Sequence, residues 1–244
     1  MPQTPGIPGI DDEGLEDRIP FLLRLEPQDR KTLLALGREL TFAPRTVLLH
    51  QHEPSTHVLL IQSGWTKVIT SAANGYEMLL ALRGPGDILG ESALLTGRSR
   101  SATVTALEEV RATAVDCERA RNFIHRSPGV SFLLLGLISD RARAGDRRRL
   151  EFAAMSVRER FSALLLDLAH THGRRTPRGI EFVIPLSKQE LAGAVGASRE
   201  MVQRLLKDLR EKKAVETARR AMLITRPDVL RMIAKRGPGQ PSGL

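Results

Sequence analysis

Hydrophobic and polar positions repeat with two different periods along this chain, and the changes of period mark its divisions. Between Ile19 and Arg38 the apolar Phe21, Leu22, Leu33, Leu34 and Leu36 stand among polar residues, which predicts one or two short helices. Pro27 suits the first turn of the second helix, and Pro44 closes the region. From Thr46 to about Val115 the pattern becomes short apolar runs broken by turn residues. The runs are Val47–Leu49, Val58–Ile61, Lys67–Thr70, Tyr76–Leu80, Ala102–Ala106 and Arg111–Val115. Asn74-Gly75 is a strong hairpin signal, and many short strands at this spacing predict an antiparallel sandwich or barrel. Trp65 reads as a packing residue.

The helical period returns at Arg119–His125. After Pro128 it runs to about Ala154, the longest such stretch, with Val130, Leu133, Leu134, Leu137 and Ile138 on one stripe. A helix of roughly 27 residues spans about 40 Å, enough to bridge two domains and pack against a two-fold mate. Ser156–Ala169 predicts another helix, with Phe161, Leu164, Leu165 and Leu168 inward, and His170–Gly179 a polar loop. Glu181–Ile184 is a candidate strand that Pro185 ends.

Ser187–Arg210 organises the rest. Ser187 and Glu190 form a capping box at a helix start, and Leu191 and Val195 give that helix an apolar contact. Gly196 permits a left-handed turn, and Ser198 can cap a second helix. Val202, Leu205, Leu206 and Leu209 form the buried stripe of that helix, leaving Arg199, Glu200, Gln203, Arg204, Lys207 and Arg210 on its other faces. A stripe of this kind, with base-reading side chains in the first half, suits the DNA major groove. An ordinary helical hairpin with a solvated charged face has the same pattern. Ala214–Glu216 and Ala221–Ile224 are short strand candidates completing a winged helix-turn-helix, with Arg219 and Arg220 at the wing tip for phosphates. Pro227 opens a last helix. The expected divisions are residues 1–127, 128–155, 156–235 and a disordered tail at 236–244, with a loose arm from Met1 to Gly14.

Charge sharpens this division. The chain of 244 residues carries a formal net charge of +9. Residues 156–244 hold 18 Lys/Arg against 9 Asp/Glu, whereas the first 155 hold 19 of each. The excess positive charge lies with the helix-turn-helix, which points that part to a polyanion. Cys117 is the one cysteine, so an internal disulfide, a cysteine-rich zinc site and a self-contained iron–sulfur cluster are excluded. His50 and His52 alternate on an expected strand, but no metal is expected. Neither a signal peptide nor an apolar run of about 20 residues occurs, so a soluble, cytoplasmic protein without membrane contact is expected.

A second stretch carries candidate chemistry. Gly84-Pro85-Gly86-Asp87 is followed by Gly90-Glu91-Ser92 and Arg100-Ser101-Ala102. Gly90 lets backbone approach a ligand, Glu91 can accept from a sugar hydroxyl, and Arg100 can pair with a phosphate. Backbone N–H groups near Ser101 could also reach an anion. A surface ion pair would use the same two side chains.

The order of strand-rich sandwich, Gly90-Glu91-Ser92 with Arg100-Ser101-Ala102, long helix and winged helix-turn-helix resembles the cyclic AMP receptor protein family of bacterial transcription regulators, from about Ile19 to Pro227. The resemblance implies an α+β chain: an N-terminal antiparallel β jelly-roll sensor domain, a long dimerisation helix and a C-terminal winged helix-turn-helix. It implies that Gly90, Glu91, Arg100 and Ser101 hold the ribose and phosphate of cyclic AMP or a related nucleotide, with Glu91 on the ribose and Arg100 on the phosphate. It implies a homodimer on double-stranded DNA, with Arg199, Glu200 and Arg204 on base edges, Ser198 supporting a phosphate contact, and RNA polymerase as a further partner. No catalysis is implied.

One departure stands out. The family's cyclic-AMP-binding member contacts adenine with an adjacent Thr-Ser pair on the long helix, and that pair falls here on Gly145-Asp146 or Asp146-Arg147. Neither register supplies two hydroxyls, so base specificity is altered or the ligand differs. Two alternatives remain at this level: a DNA-binding protein whose sandwich is an effector-independent scaffold, and a metal-binding jelly-roll enzyme resting on His50, His52 and His57.

Overall fold

The computed structural model describes residues 19–182, 186–218 and 221–235. The expected N-terminal arm, the tail, the Val183–Pro185 end of the candidate strand and the tip arginines Arg219 and Arg220 lie outside them. The chain divides into two compact units with the boundary between Arg143 and Ala144, inside the longest helix.

The first unit opens with helices α1 (Phe21–Arg24) and α2 (Pro27–Ala35), the latter with Pro27 in its first turn. Eight strands follow: β1 (Arg38–Phe42), β2 (Val47–Leu49), β3 (His57–Ser63), β4 (Thr66–Ser71), β5 (Glu77–Arg83), β6 (Ile88–Leu89), β7 (Thr103–Ala106) and β8 (Val110–Asp116). Helix α3 (Glu91–Thr96) lies between β6 and β7, and α4 (Cys117–Arg126) and α5 (Pro128–Ala154) follow β8. The strands form two antiparallel four-stranded sheets, ordered β1-β8-β3-β6 and β2-β7-β4-β5.

Strand β3 shows why this part reads as continuous apolar sequence. Its side chains alternate between faces. Leu59 and Ile61 join Leu48, Leu49, Val104, Val110 and Ala112 in the core between the sheets. Val58 and Leu60 join Phe21, Leu22, Leu33, Cys117, Ala120 and the α5 residues Val130, Leu134 and Leu137 in a second core under the helices. Both faces of β3 are covered, so no polar alternation survives.

Two local expectations change here and a third holds. Arg38, assigned to a helical region, begins β1, because the alternation from Arg38 to Phe42 finds a partner in β8. His50 and His52 do not share a strand: β2 ends at Leu49, and His52 sits in a turn with φ +71°. Trp65 does pack, lying so close to Gly84 that a Cβ there would meet its ring carbons at 2.5 Å.

The second unit contains α6 (Val157–His172), β9 (Gly173–Thr176), β10 (Gly179–Phe182), α7 (Lys188–Val195), α8 (Arg199–Glu211), β11 (Val215–Ala218), β12 (Ala221–Ile224) and α9 (Pro227–Lys235). Its sheet is antiparallel, ordered β11-β12-β10-β9. The segment expected as a polar loop supplies β9, paired across a turn with β10. Ser156 caps α6 through a capping box with Glu159. Among the described residues no helix is long and apolar enough to cross a membrane, and no group of His, Cys, Asp and Glu is arranged to hold a metal ion.

Candidate functional site

In the first unit Gly90 takes a left-handed conformation, φ +83°, immediately before α3. That backbone angle favours glycine, and a side chain there would push the Arg100 guanidinium from its place. Arg100 is 4% exposed and donates through Nη2 to the His57 carbonyl and through Nη1, at 3.4 Å, to the Gly90 carbonyl. Its backbone is clamped as well, His52 N–H donating to the Arg100 carbonyl at 2.8 Å and Arg100 N–H to the Glu53 carbonyl at 2.9 Å. Burial lowers the Arg100 pKa, opposed by the thiol of Cys117 and the carboxylates of Glu91 and Glu53. Burial likewise lowers His57, and the Arg100 charge adds to that effect.

Glu91 is gripped by a residue the sequence pattern did not single out. Arg141 of α5 lies 2.5 Å from the Glu91 carboxylate and 3.8 Å from Asp87, and donates to the Ile88 carbonyl at 3.1 Å. Its Nε is buried without a hydrogen-bond partner among the described residues. Asp87 accepts the Gly84 N–H at 2.9 Å; burial raises its carboxyl, while Arg83, the Gly84 amide and Arg141 pull the other way. Arg141 continues the inward stripe of Val130, Leu134 and Leu137, and a charge on such a stripe is the signal that could have found it. Gly90, Glu91 and Arg100 therefore converge on one place, whereas Ser101 is exposed at its edge. Asp146, in the second unit, is exposed and pairs with Arg149 at 2.5 Å.

In the second unit local chemistry builds the helical hairpin. The Ser187 hydroxyl accepts the Glu190 N–H at 3.2 Å, and the Glu190 carboxylate accepts the Ser187 N–H at 2.6 Å. Gly196 ends α7 at φ +62°. Ser198 caps α8 by accepting the Met201 N–H at 3.2 Å. Val202, Leu206 and Leu209 are buried, so Arg199, Glu200, Gln203, Arg204 and Lys207 face outward. The Glu200 carboxyl is held below the usual range by its own amide and the Ser198 hydroxyl, with further help from Arg199 and Arg204.

Helix α6 sets this hairpin through arginines the sequence reading passed over. Arg160 donates to the carbonyls of Val195 at 3.0 Å, Phe152 at 3.3 Å and Met155 at 2.5 Å, with its guanidinium 4.6 Å from the Phe152 ring centroid. Arg158 pairs with Asp208 of α8 at 2.8 Å. The arrangement presents a rigid helix with mixed charge at its N-terminal half, the chemistry of major-groove readout.

Known proteins match both units. Residues 39–127 match the cyclic nucleotide-binding domain family, and residues 159–233 match the Crp-like helix-turn-helix domain family. The CRP-like cAMP-activated global transcriptional regulator of Mycobacterium tuberculosis is 28% identical over 201 residues, covering 82% of this chain and 90% of that protein. The cAMP-activated global transcriptional regulator CRP of Salmonella typhimurium is 27% identical over 185 residues, 75% of this chain and 87% of its own. Among solved structures, the c-di-GMP responsive global regulator CLP of Xanthomonas campestris shares the fold with a TM-score of 0.73 at 22% identity, covering 82% of this chain and 99% of that one.

Proposed function

The chain belongs to the cyclic AMP receptor protein family of transcription regulators, and from that premise we propose that it binds its operator as a homodimer under control of a cyclic nucleotide. The observation that carries the DNA part is α8, whose inward stripe leaves Arg199, Glu200 and Arg204 exposed on a helix capped by Ser198 and tied to α6 by Arg158. Arg199, Glu200 and Arg204 meet base edges, Ser198 supports a phosphate contact, and the wing arginines Arg219 and Arg220 meet phosphates. Exposed Phe132 and Leu135 on α5 support the homodimer, since a two-fold mate would cover them.

The convergence of Gly90, Glu91 and Arg100 fits cyclic AMP or a related nucleotide. A buried guanidinium suits the phosphate, a carboxylate suits the ribose, and the orphan Nε of Arg141 offers one further donor. A nucleotide entering there exchanges the His57 and Gly90 carbonyls on Arg100, and Arg141 on Glu91, for its own oxygens. This links occupancy to α5, which carries Arg141. RNA polymerase as a further partner and a cytoplasmic site of action complete the reading.

Calorimetry with cyclic AMP and cyclic GMP, followed by operator binding with and without the ligand, tests it. Micromolar binding that raises operator affinity is expected. Binding of neither nucleotide, with unchanged operator affinity, would make the sandwich an effector-independent scaffold. For the DNA part, Arg204→Ala should lose about 1–3 kcal/mol of discrimination at one base pair. Equal weakening on specific and random DNA would instead make Arg204 a phosphate contact.

A further inference from the structure

We propose that Gln203 reads a base edge and extends the half-site recognised by α8, with Lys188 of α7 as the residue that positions its amide. The inference rests on the operator-binding reading of α8. It starts from helix geometry. Gln203 stands one turn after Arg199 and one turn before Lys207, beside Arg204, on the exposed flank of the helix roughly a quarter turn from buried Val202, Leu206 and Leu209. It is exposed, and it is the neutral member of a row otherwise made of charged side chains.

A neutral amide adds little to attraction for phosphates, which cations such as Lys207 and Arg210 already supply. It does present a donor and an acceptor in one plane, the pattern that matches the N7 acceptor and N6 amino donor of adenine in the major groove. Lys188 Nζ donates to Gln203 Oε1 at 3.5 Å, a long contact that occupies one of two lone pairs. The second lone pair and both Nε2 hydrogens remain for the base. Because Lys188 opens α7 directly behind the Ser187 capping box, its stem starts from a fixed backbone. A restrained amide loses less rotamer freedom on binding than a free one. The recognised group is therefore an A·T pair, adenine toward Gln203, next to the positions read by Arg199 and Arg204.

The test selects binding sites from a randomised duplex library with the full chain, in the presence and absence of cyclic AMP. Affinities are then measured on every single-base variant of the selected site, for wild type, Gln203→Ala and Lys188→Ala. Gln203→Ala is expected to lose roughly 5–150-fold preference for adenine at one position of each half-site, with the other positions unchanged. Lys188→Ala is expected to weaken preference at that same position by less. Alanine favours an exposed helix position, so circular dichroism should match wild type. Unchanged preference at every position in Gln203→Ala would overturn the assignment, as would an equal loss on all sequences. Enrichment of no sequence by wild type would instead overturn the operator reading itself.

Discussion

The guanidinium of Arg141 lies 2.5 Å from the carboxylate of Glu91, joining the long helix to the first turn of α3. The two side chains are 16% and 13% exposed, so the pair is largely removed from water. Asp87 stands 3.8 Å from the same guanidinium, which makes Arg141 the shared counter-charge of two carboxylates. The acid suited to a ribose is thus already held by the helix that the proposed switch must move.

Arg141→Met should destabilise the protein by about 2–3 kcal/mol, somewhat less than the loss of one partner from a fully buried pair. Glu91 then loses its guanidinium partner, and Asp87 keeps only Arg83 and the Gly84 amide to offset its burial. Adding Glu91→Met should restore part of the loss, giving a coupling energy above about 1 kcal/mol in a double-variant cycle. Urea unfolding of the four proteins measures it, and additive losses would deny the pair any energetic role.

Arg100→Ala should abolish binding of cyclic AMP in calorimetry. The substitution removes the cation buried beside Gly90, Glu91 and His57 and takes the guanidinium donor from the His57 carbonyl, while the Gly90 carbonyl keeps the Leu94 N–H. Stability should fall by about 1–3 kcal/mol for the lost hydrogen bonds. A variant that folds and binds nucleotide as wild type does would remove Arg100 from the phosphate role.

Gly196→Ala should cost about 1–3 kcal/mol, because φ is +62° and the new Cβ meets the Phe152 ring. Phe152→Ala in the same chain should relieve the overlap and leave the backbone penalty of about 1 kcal/mol. It also removes the ring beneath Arg160. Thermal unfolding of the four proteins reads the coupling; strictly additive losses would place the ring away from the turn.

His57 should make stability depend on pH near neutrality. Burial, then Arg100 and Arg38, lower its folded pKa below the ordinary 6.5, with Asp116 opposing. The unfolded chain therefore binds more protons than the folded one between the folded value and 6.5. The contribution is fully present above pH 6.5 and is lost as pH falls through that window to the folded value. His57→Gln should flatten this slope in urea midpoints measured from pH 8 to pH 5. An unchanged slope would assign it to other groups.

Much of the helix-turn-helix was legible because its determinants are local. A hydroxyl at Ser187 or Ser198 caps the helix that begins beside it, Gly196 turns the chain where it stands, and the spacing of Val202, Leu206 and Leu209 states which face is buried. The long helix was legible for the same reason, from Pro128 to Ala154. The residues of the proposed effector site were visible as types, since Gly90, Glu91 and Arg100 lie close together in the chain. What they bond to was not.

Long-range pairing decided the remainder. Arg38–Phe42 is a strand because β8 offers it a ladder, and the hairpin of β9 and β10 exists because Gly173–Thr176 finds register against Gly179–Phe182. The same holds for the ion pair of Arg141 with Glu91 and the hydrogen bonds of Arg160 to Val195, Phe152 and Met155. By itself the sequence determined caps, turns and helix faces, since hydrogen bonds between near neighbours and a 3.6-residue period set them. Only the tertiary structure decided strand partners and the counter-charges of buried groups, because those depend on which distant segments the two cores bring together.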